Sequence, residues 1–275
     1  MPDIKLIALD LDGTLLNSSK ELSKANADAL AHAAARGIEI VPTTGRFFSG
    51  MPECIRALPY LHYSITINGA AVYDVRRKRE LAKAEIPLRQ AVEIMRYLDT
   101  LPVIYDCYMD NWGWMTRALQ DRAPEFAPDT HYLKMIRELR TPVDELKAYL
   151  LETGHDVQKI QLFVKAPGLR QVLLQQLEQQ FGGIAVSSSV VNNIEINNVH
   201  ANKGEALKKV AAHLGYDISQ TMALGDGLND VSMIREAGIG VAMENACPAA
   251  KAQADHVTES CDDDGVAAAI ERFCL

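Results

Sequence analysis

Cysteine is scarce and unpatterned in this chain: five in 275 residues (Cys54, Cys107, Cys247, Cys261 and Cys274), with no Cys-x-x-Cys pair. An odd, dispersed set argues against a disulfide framework and predicts reduced thiols in a reducing compartment. Positive charge is in deficit, with 28 Lys and Arg against 36 Asp and Glu and a net charge of -8. That balance argues against a nucleic-acid surface as the main business of the protein. No run approaches the ~18 apolar residues that a membrane span requires. The first residues do not read as a secretory leader, because Asp3 and Lys5 flank a short apolar run that ends in acids. No internal repeat or low-complexity tract occurs, and the seven histidines show no ligand spacing. The expectation is a cytoplasmic protein with no nucleic-acid, membrane or obligatory protein partner.

What is present is an ordinary globular balance, 48% apolar and 23% charged, in a chain long enough for one large or two smaller domains. Residues 4–9 form an apolar run broken only by Lys5, and two carboxylates, Asp10 and Asp12, follow it with Gly13 behind them. The run reads as a buried strand with acids at its C-terminal end. Burying two acids side by side is costly unless a cation or a proton compensates them.

Downstream, strand-like runs at 38–41, 64–67, 222–224, 239–243 and 256–257 alternate with helix-like segments at 23–35, 48–58, 203–214, 229–237, 248–254 and 266–273. This alternation predicts an α/β fold with a doubly wound parallel sheet. The middle of the chain breaks the pattern. Helices are predicted at 88–98, 142–151 and 168–181, and strands at 103–108, 159–164 and 183–188. An irregular patch at 111–129 carries both tryptophans. That block is expected to be an inserted α+β domain with an antiparallel sheet, giving a core of 1–81 and 190–275 and an insertion of 82–189. Trp112, Trp114 and Tyr108 read as packing residues before they read as a substrate platform.

Four strand or helix ends carry polar groups: Asp10 with Asp12; Thr44 with Gly45; Lys203; and Asp226 with Asn229 and Asp230. If the strands are parallel neighbours, these converge in one crevice beyond their carboxyl ends. Such an inventory suits magnesium-dependent phosphoryl transfer, since Mg2+ takes oxygen ligands and the reaction needs positive charge around the phosphoryl oxygens.

Asp10-Leu11-Asp12-Gly13-Thr14-Leu15 resembles the DxDGT signature of the haloacid dehalogenase-like phosphohydrolases. Thr43-Thr44-Gly45-Arg46, Lys203-Gly204 and Gly225-Asp226-Gly227-Leu228-Asn229-Asp230 are similar to that family's second, third and fourth motifs, in its order. Asn68-Gly69-Ala70 and the position of the insertion are similar to the Cof-type (class IIB) branch. The resemblance implies Asp10 as nucleophile and Asp12 as general acid and base. It implies magnesium held by the Asp10 side chain, the Asp12 carbonyl and the Asp226 side chain, with Asp230 behind them acting through water or by orienting Lys203. Thr44, Gly45, Lys203 and Asn229 would hold the phosphoryl group, and the insertion would be a cap. Arg46 stays open between a surface arginine and a substrate contact, and Asn68 between a turn residue and a substrate contact. His200, three residues before Lys203, is given no direct role. The activity implied is hydrolysis of small phosphorylated metabolites, sugar phosphates first, through an aspartyl phosphate. The alternatives are a phosphomutase or a non-catalytic regulatory protein on the same scaffold.

Overall fold

A computed structural model describes residues 3–127, 129–188 and 191–275. The chain divides into two compact units, one made of Met1–Lys83 and Asn202–Leu275, the other of Ala84–Ala201.

The first unit is built on five parallel strands, in the order His256–Val257, Ile239–Ala242, Thr221–Gly225, Leu6–Leu9, Glu39–Pro42. Leu6–Leu9 lies inside the sheet with all four side chains buried, as its unbroken apolar run requires. Alternate residues face opposite layers. Ile7 and Leu9 pack with Ala29, Leu30 and Ala33 of helix Lys24–Ala35 and with Val266 and Ile270 of helix Gly265–Cys274. Leu6 and Ala8 pack with Ala206, Leu207 and Val210 of helix Lys203–Leu214. Ser23 caps the first of these helices by accepting the Asn26 amide, and Asn202 caps the third by accepting the Glu205 amide. A separate antiparallel ribbon, Tyr63–Thr66, Ala71–Asp74 and Arg79–Lys83, completes this unit. The basic run at 76–79 covers its second turn and the first residue of its third strand.

The second unit is a six-stranded sheet ordered Ile184–Ser187, Asn193–Asn198, Lys159–Val164, Val103–Met109, Trp112–Thr116, Arg140–Val143. Its neighbours are antiparallel except the last pair, which is parallel. One face packs Tyr105, Cys107, Ile160, Leu162, Ile194 and Ile196 against helices Leu88–Leu98, Leu146–Thr153 and Pro167–Gln180. The other carries a buried polar array. There Asp106 lies 3.1 Å from Arg140 and Lys159 lies 3.4 Å from Glu195, and both cations stand over the Tyr108 ring. Trp114 packs against Tyr149 in a tilted ring pair beside the apolar layer, and Trp112 donates its indole N–H to Thr141.

The return to the core was expected at 190, but strand Asn193–Asn198 pairs with Lys159–Val164 and Ile184–Ser187 in the inserted sheet, so the second crossing falls between Ala201 and Asn202. Residues 189 and 190, which flank the expected boundary, lie outside the described residues. The helix expected at 48–58 is a 3-10 turn, Phe48–Gly50, and a single helical turn, Glu53–Arg56, separated at Pro52, which lacks the donor a continuous helix would need. The patch at 111–129 contains strand Trp112–Thr116 and helix Arg117–Asp121. The helix expected at 142–151 begins only at Leu146, because Pro142 sits in strand Arg140–Val143. No helix among the described residues is long and apolar enough to cross a membrane.

Candidate active site

Sheet register assembles the site. Leu9 pairs with Leu224 on one side and with Pro42 on the other, so Asp10, Gly225 and Thr43 stand at one level at the carboxyl ends of their strands. The Asp10 amide donates to the Leu224 carbonyl and the Thr43 amide to the Leu9 carbonyl. From Leu6–Leu9 the chain continues to its neighbour on one side, while Thr221–Gly225 closes the other. The acids therefore sit where strand order reverses, the place ligands occupy in open α/β sheets.

Lys203, the first residue of its helix and fully buried, is the hub. Its Nζ donates to Asp10 Oδ1 at 2.6 Å and to Asp230 Oδ1 at 2.5 Å. Burial works against the ammonium, but the charges and hydrogen bonds of both acids outweigh it and raise its proton affinity. Asp230 Oδ2 accepts the amides of Asp226 and Gly227, which folds the loop so that Asp226 faces Asp10. Thr14 Oγ1 donates to Asp226 Oδ1 at 3.0 Å. Gly13 is required at this turn. Its φ is +88°, and a Cβ there would lie 2.5 Å from Asp226 Oδ2.

The donor set fits a divalent cation. Carboxylate oxygens of Asp10, Asp226 and Asp230 lie within 4.8 Å of one another, three acids against the single ammonium of Lys203. Burial, with the neighbouring acids, pushes Asp10 up and Asp226 to about 6; a bound cation would relieve that strain. Asp230 accepts from Lys203 and from two amides, whereas Asp10 and Asp226 each accept one side-chain hydrogen bond, which leaves those two more open to a hard cation.

The Asp12 carboxylate points elsewhere. Arg46 grips it through Nε and Nη2 at 2.8 and 2.9 Å, and Lys20 Nζ stands 3.1 Å away. Burial tends to raise its pKa, but the Arg46 hydrogen bonds and charge, with Lys20, outweigh burial and hold the carboxyl below its ordinary value. Arg46 also donates through Nη1 to the Gly50 carbonyl. Arg46→Met is expected to raise the titration midpoint of Asp12. The carbon-13 shift of its carboxyl, followed against pH by NMR, reads this directly, and an unmoved midpoint would rule out Arg46 as the cause.

Thr44 is buried, and its hydroxyl accepts the Arg46 amide. Gly45 lies against Asn68, whose Oδ1 accepts from Asn229 Nδ2 at 3.2 Å. The ten residues from Asp10 to Asp230 named as site candidates thus all fall in the first unit, near the carboxyl ends of its strands or on the helix that begins at Lys203. His200 belongs to the second unit; it is exposed, and its amide donates to Asn198. Sequence reasoning passed over Lys20 and Asn245. Asn245 Nδ2 donates to the Gly13 carbonyl at 2.8 Å and its Oδ1 accepts the Cys261 amide. Asn245 follows strand Ile239–Ala242, so the strand-end rule that found the other groups would have reached it too.

A family model described as haloacid dehalogenase-like hydrolase matches residues 7–270. The 5-amino-6-(5-phospho-D-ribitylamino)uracil phosphatase YcsE of Bacillus subtilis is 31% identical, over 99% of this chain and 97% of its own length. The pyridoxal phosphate phosphatase YbhA of Escherichia coli is 29% identical over 96% of each. A solved haloacid dehalogenase-like hydrolase from B. subtilis superposes with a TM-score of 0.82 at 31% identity, covering 98% of this chain and 100% of the other.

Proposed function

The chain belongs to the haloacid dehalogenase-like hydrolase family and is a phosphatase of small phosphorylated metabolites, and from that premise we propose a magnesium-dependent enzyme for sugar or polyol phosphates working through an aspartyl phosphate. The observation that carries the reading is the buried hub in which Lys203 holds Asp10 and Asp230 beside Asp226. The preference for polyol esters is supported by the YcsE relative, whose name places its phosphate on a ribityl chain.

In this mechanism Asp10 attacks phosphorus, forming an O–P bond as the bond to the leaving oxygen breaks. Asp12 supplies the proton to that oxygen. It then takes one from the water that attacks the aspartyl phosphate, freeing inorganic phosphate and Asp10. To act, Asp12 must exchange its Arg46 contact for the leaving oxygen. Lys203, Thr44, the Gly45 amide and Asn229 neutralise and orient the phosphoryl oxygens. The Asp10 and Asp226 side chains and the Asp12 carbonyl would hold magnesium, which when bound supplies positive charge to the transferring group.

The test is a panel of sugar phosphates, nucleotides, phosphoglycolate and cofactor phosphates with magnesium, and with excess EDTA. The expected result is release of inorganic phosphate, fastest from sugar or polyol esters, abolished by EDTA and restored by magnesium. Turnover unaffected by EDTA would remove the metal from the proposal. Isomerisation of a hexose 1-phosphate without phosphate release would replace hydrolysis by a mutase reaction.

A further inference from the structure

Three consecutive residues, Ile67, Asn68 and Gly69, have positive φ, at 54°, 57° and 94°. For a β-branched residue such as Ile67 this is a true outlier, which persists only where the surroundings over-determine it. The surroundings do so from three sides. The Ile67 and Asn68 amides donate to the Arg46 and Thr44 carbonyls, and the Thr44 amide donates to Ile65. A Cβ on Gly69 would lie 2.3 Å from the carbonyl oxygen of Asn202, the residue that caps the Lys203 helix. The buried Asn68 side chain lies over Gly45, where a Cβ would come within 2.8 Å of its Oδ1, and that oxygen accepts from Asn229. Asn229 Oδ1 in turn lies close to Gly227, so its amide is turned with the NH2 group toward Asn68.

Building on the phosphatase reading, we propose that Asn68 is a positioning residue: it fixes the Asn229 amide so that one N–H is spent on Asn68 and the other is presented to a phosphoryl oxygen. The strained turn supplies the anchor, tying the Thr44–Gly45 loop, Asn229 and the entry to the Lys203 helix to one rigid point. Asn68 itself touches no substrate.

Asn68→Gly keeps the left-handed backbone and deletes only the amide, while Asn68→Ala deletes the amide and adds backbone strain. The test is a cycle of Asn68→Gly, Asn229→Ala and the double variant. It is read in kcat/KM for an aryl phosphate and, separately, in Kd for inorganic phosphate with magnesium, with thermal melts alongside. Asn68→Gly is expected to melt near the wild type, above Asn68→Ala, and to lose about tenfold in kcat/KM, the scale of one oriented hydrogen bond. The double variant is expected to fall no further than Asn229→Ala alone, in both readouts. Losses that multiply would give Asn68 a contact of its own and overturn the proposal, as would an unchanged kcat/KM in Asn68→Gly. Absence of wild-type turnover would overturn the phosphatase reading instead, leaving the phosphate-binding cycle to decide the role of Asn68.

Discussion

Replacing Asp10 by asparagine is expected to lower turnover of an aryl phosphate by roughly 10^4-fold or more, the scale seen when a covalent nucleophile is removed. The change is nearly isosteric, and asparagine still offers an oxygen to the Lys203 ammonium that now donates to Asp10 at 2.6 Å. It also takes one negative charge out of a trio whose carboxylates lie within 4.8 Å of one another. The thermal melt without metal should therefore hold or rise while activity collapses. Trapping with a labelled phosphate ester should mark the wild-type chain on Asp10 and leave the variant unlabelled. Turnover near the wild-type level would remove Asp10 from the chemistry. A large fall in the melt would show that the loss was one of folding.

The second large effect is expected at Lys203. Its side chain is fully buried, and methionine there would leave Asp10 and Asp230 facing each other without their shared counter-charge. Breaking a buried ion network by removing one partner typically costs about 3–5 kcal/mol, so Lys203→Met should shift the denaturant midpoint strongly and abolish turnover. The two losses are separable. Adding Asp230→Asn removes one of the stranded carboxylates and should recover part of the stability without recovering activity, because the positive charge proposed to face the phosphoryl group is still missing. A single variant that unfolds at the wild-type midpoint would show that the ammonium is dispensable to the fold.

The parts of the fold and site that were legible in the sequence share a cause. An uninterrupted apolar run such as residues 6–9 is satisfied by burial inside a sheet, and polar residues just past such runs collect at the strand ends. What stayed hidden depended on pairing. Residues 193–198 alternate apolar and polar, a pattern equally suited to either unit. The antiparallel registers with Lys159–Val164 and Ile184–Ser187 assign the strand to the insertion, where Asn193, Glu195 and Asn197 share a buried face. Helix Thr130–Glu138 and strands Trp112–Thr116 and Arg140–Val143 are short and mixed in composition, so packing decides them rather than periodicity. The bidentate contact of Arg46 with Asp12 joins side chains 34 positions apart, and nothing local announces it.

The hub around Lys203 also bears on how the molecule is made. Its ammonium is held by Asp10, 193 positions earlier, and by Asp230, 27 positions later. The central strand Leu6–Leu9 likewise waits for Thr221–Gly225 to flank it. A nascent chain emerging from the ribosome therefore carries Asp10 well before either partner has been made. It cannot pair that acid until the whole insertion, Ala84–Ala201, has been synthesised and the chain has crossed back at Asn202. Such long-range closure slows folding and exposes half-built sheet edges. In return, a product that stops within the insertion holds Asp10 without Lys203 and without Asp226, so the acid cluster closes only once residue 230 has been made.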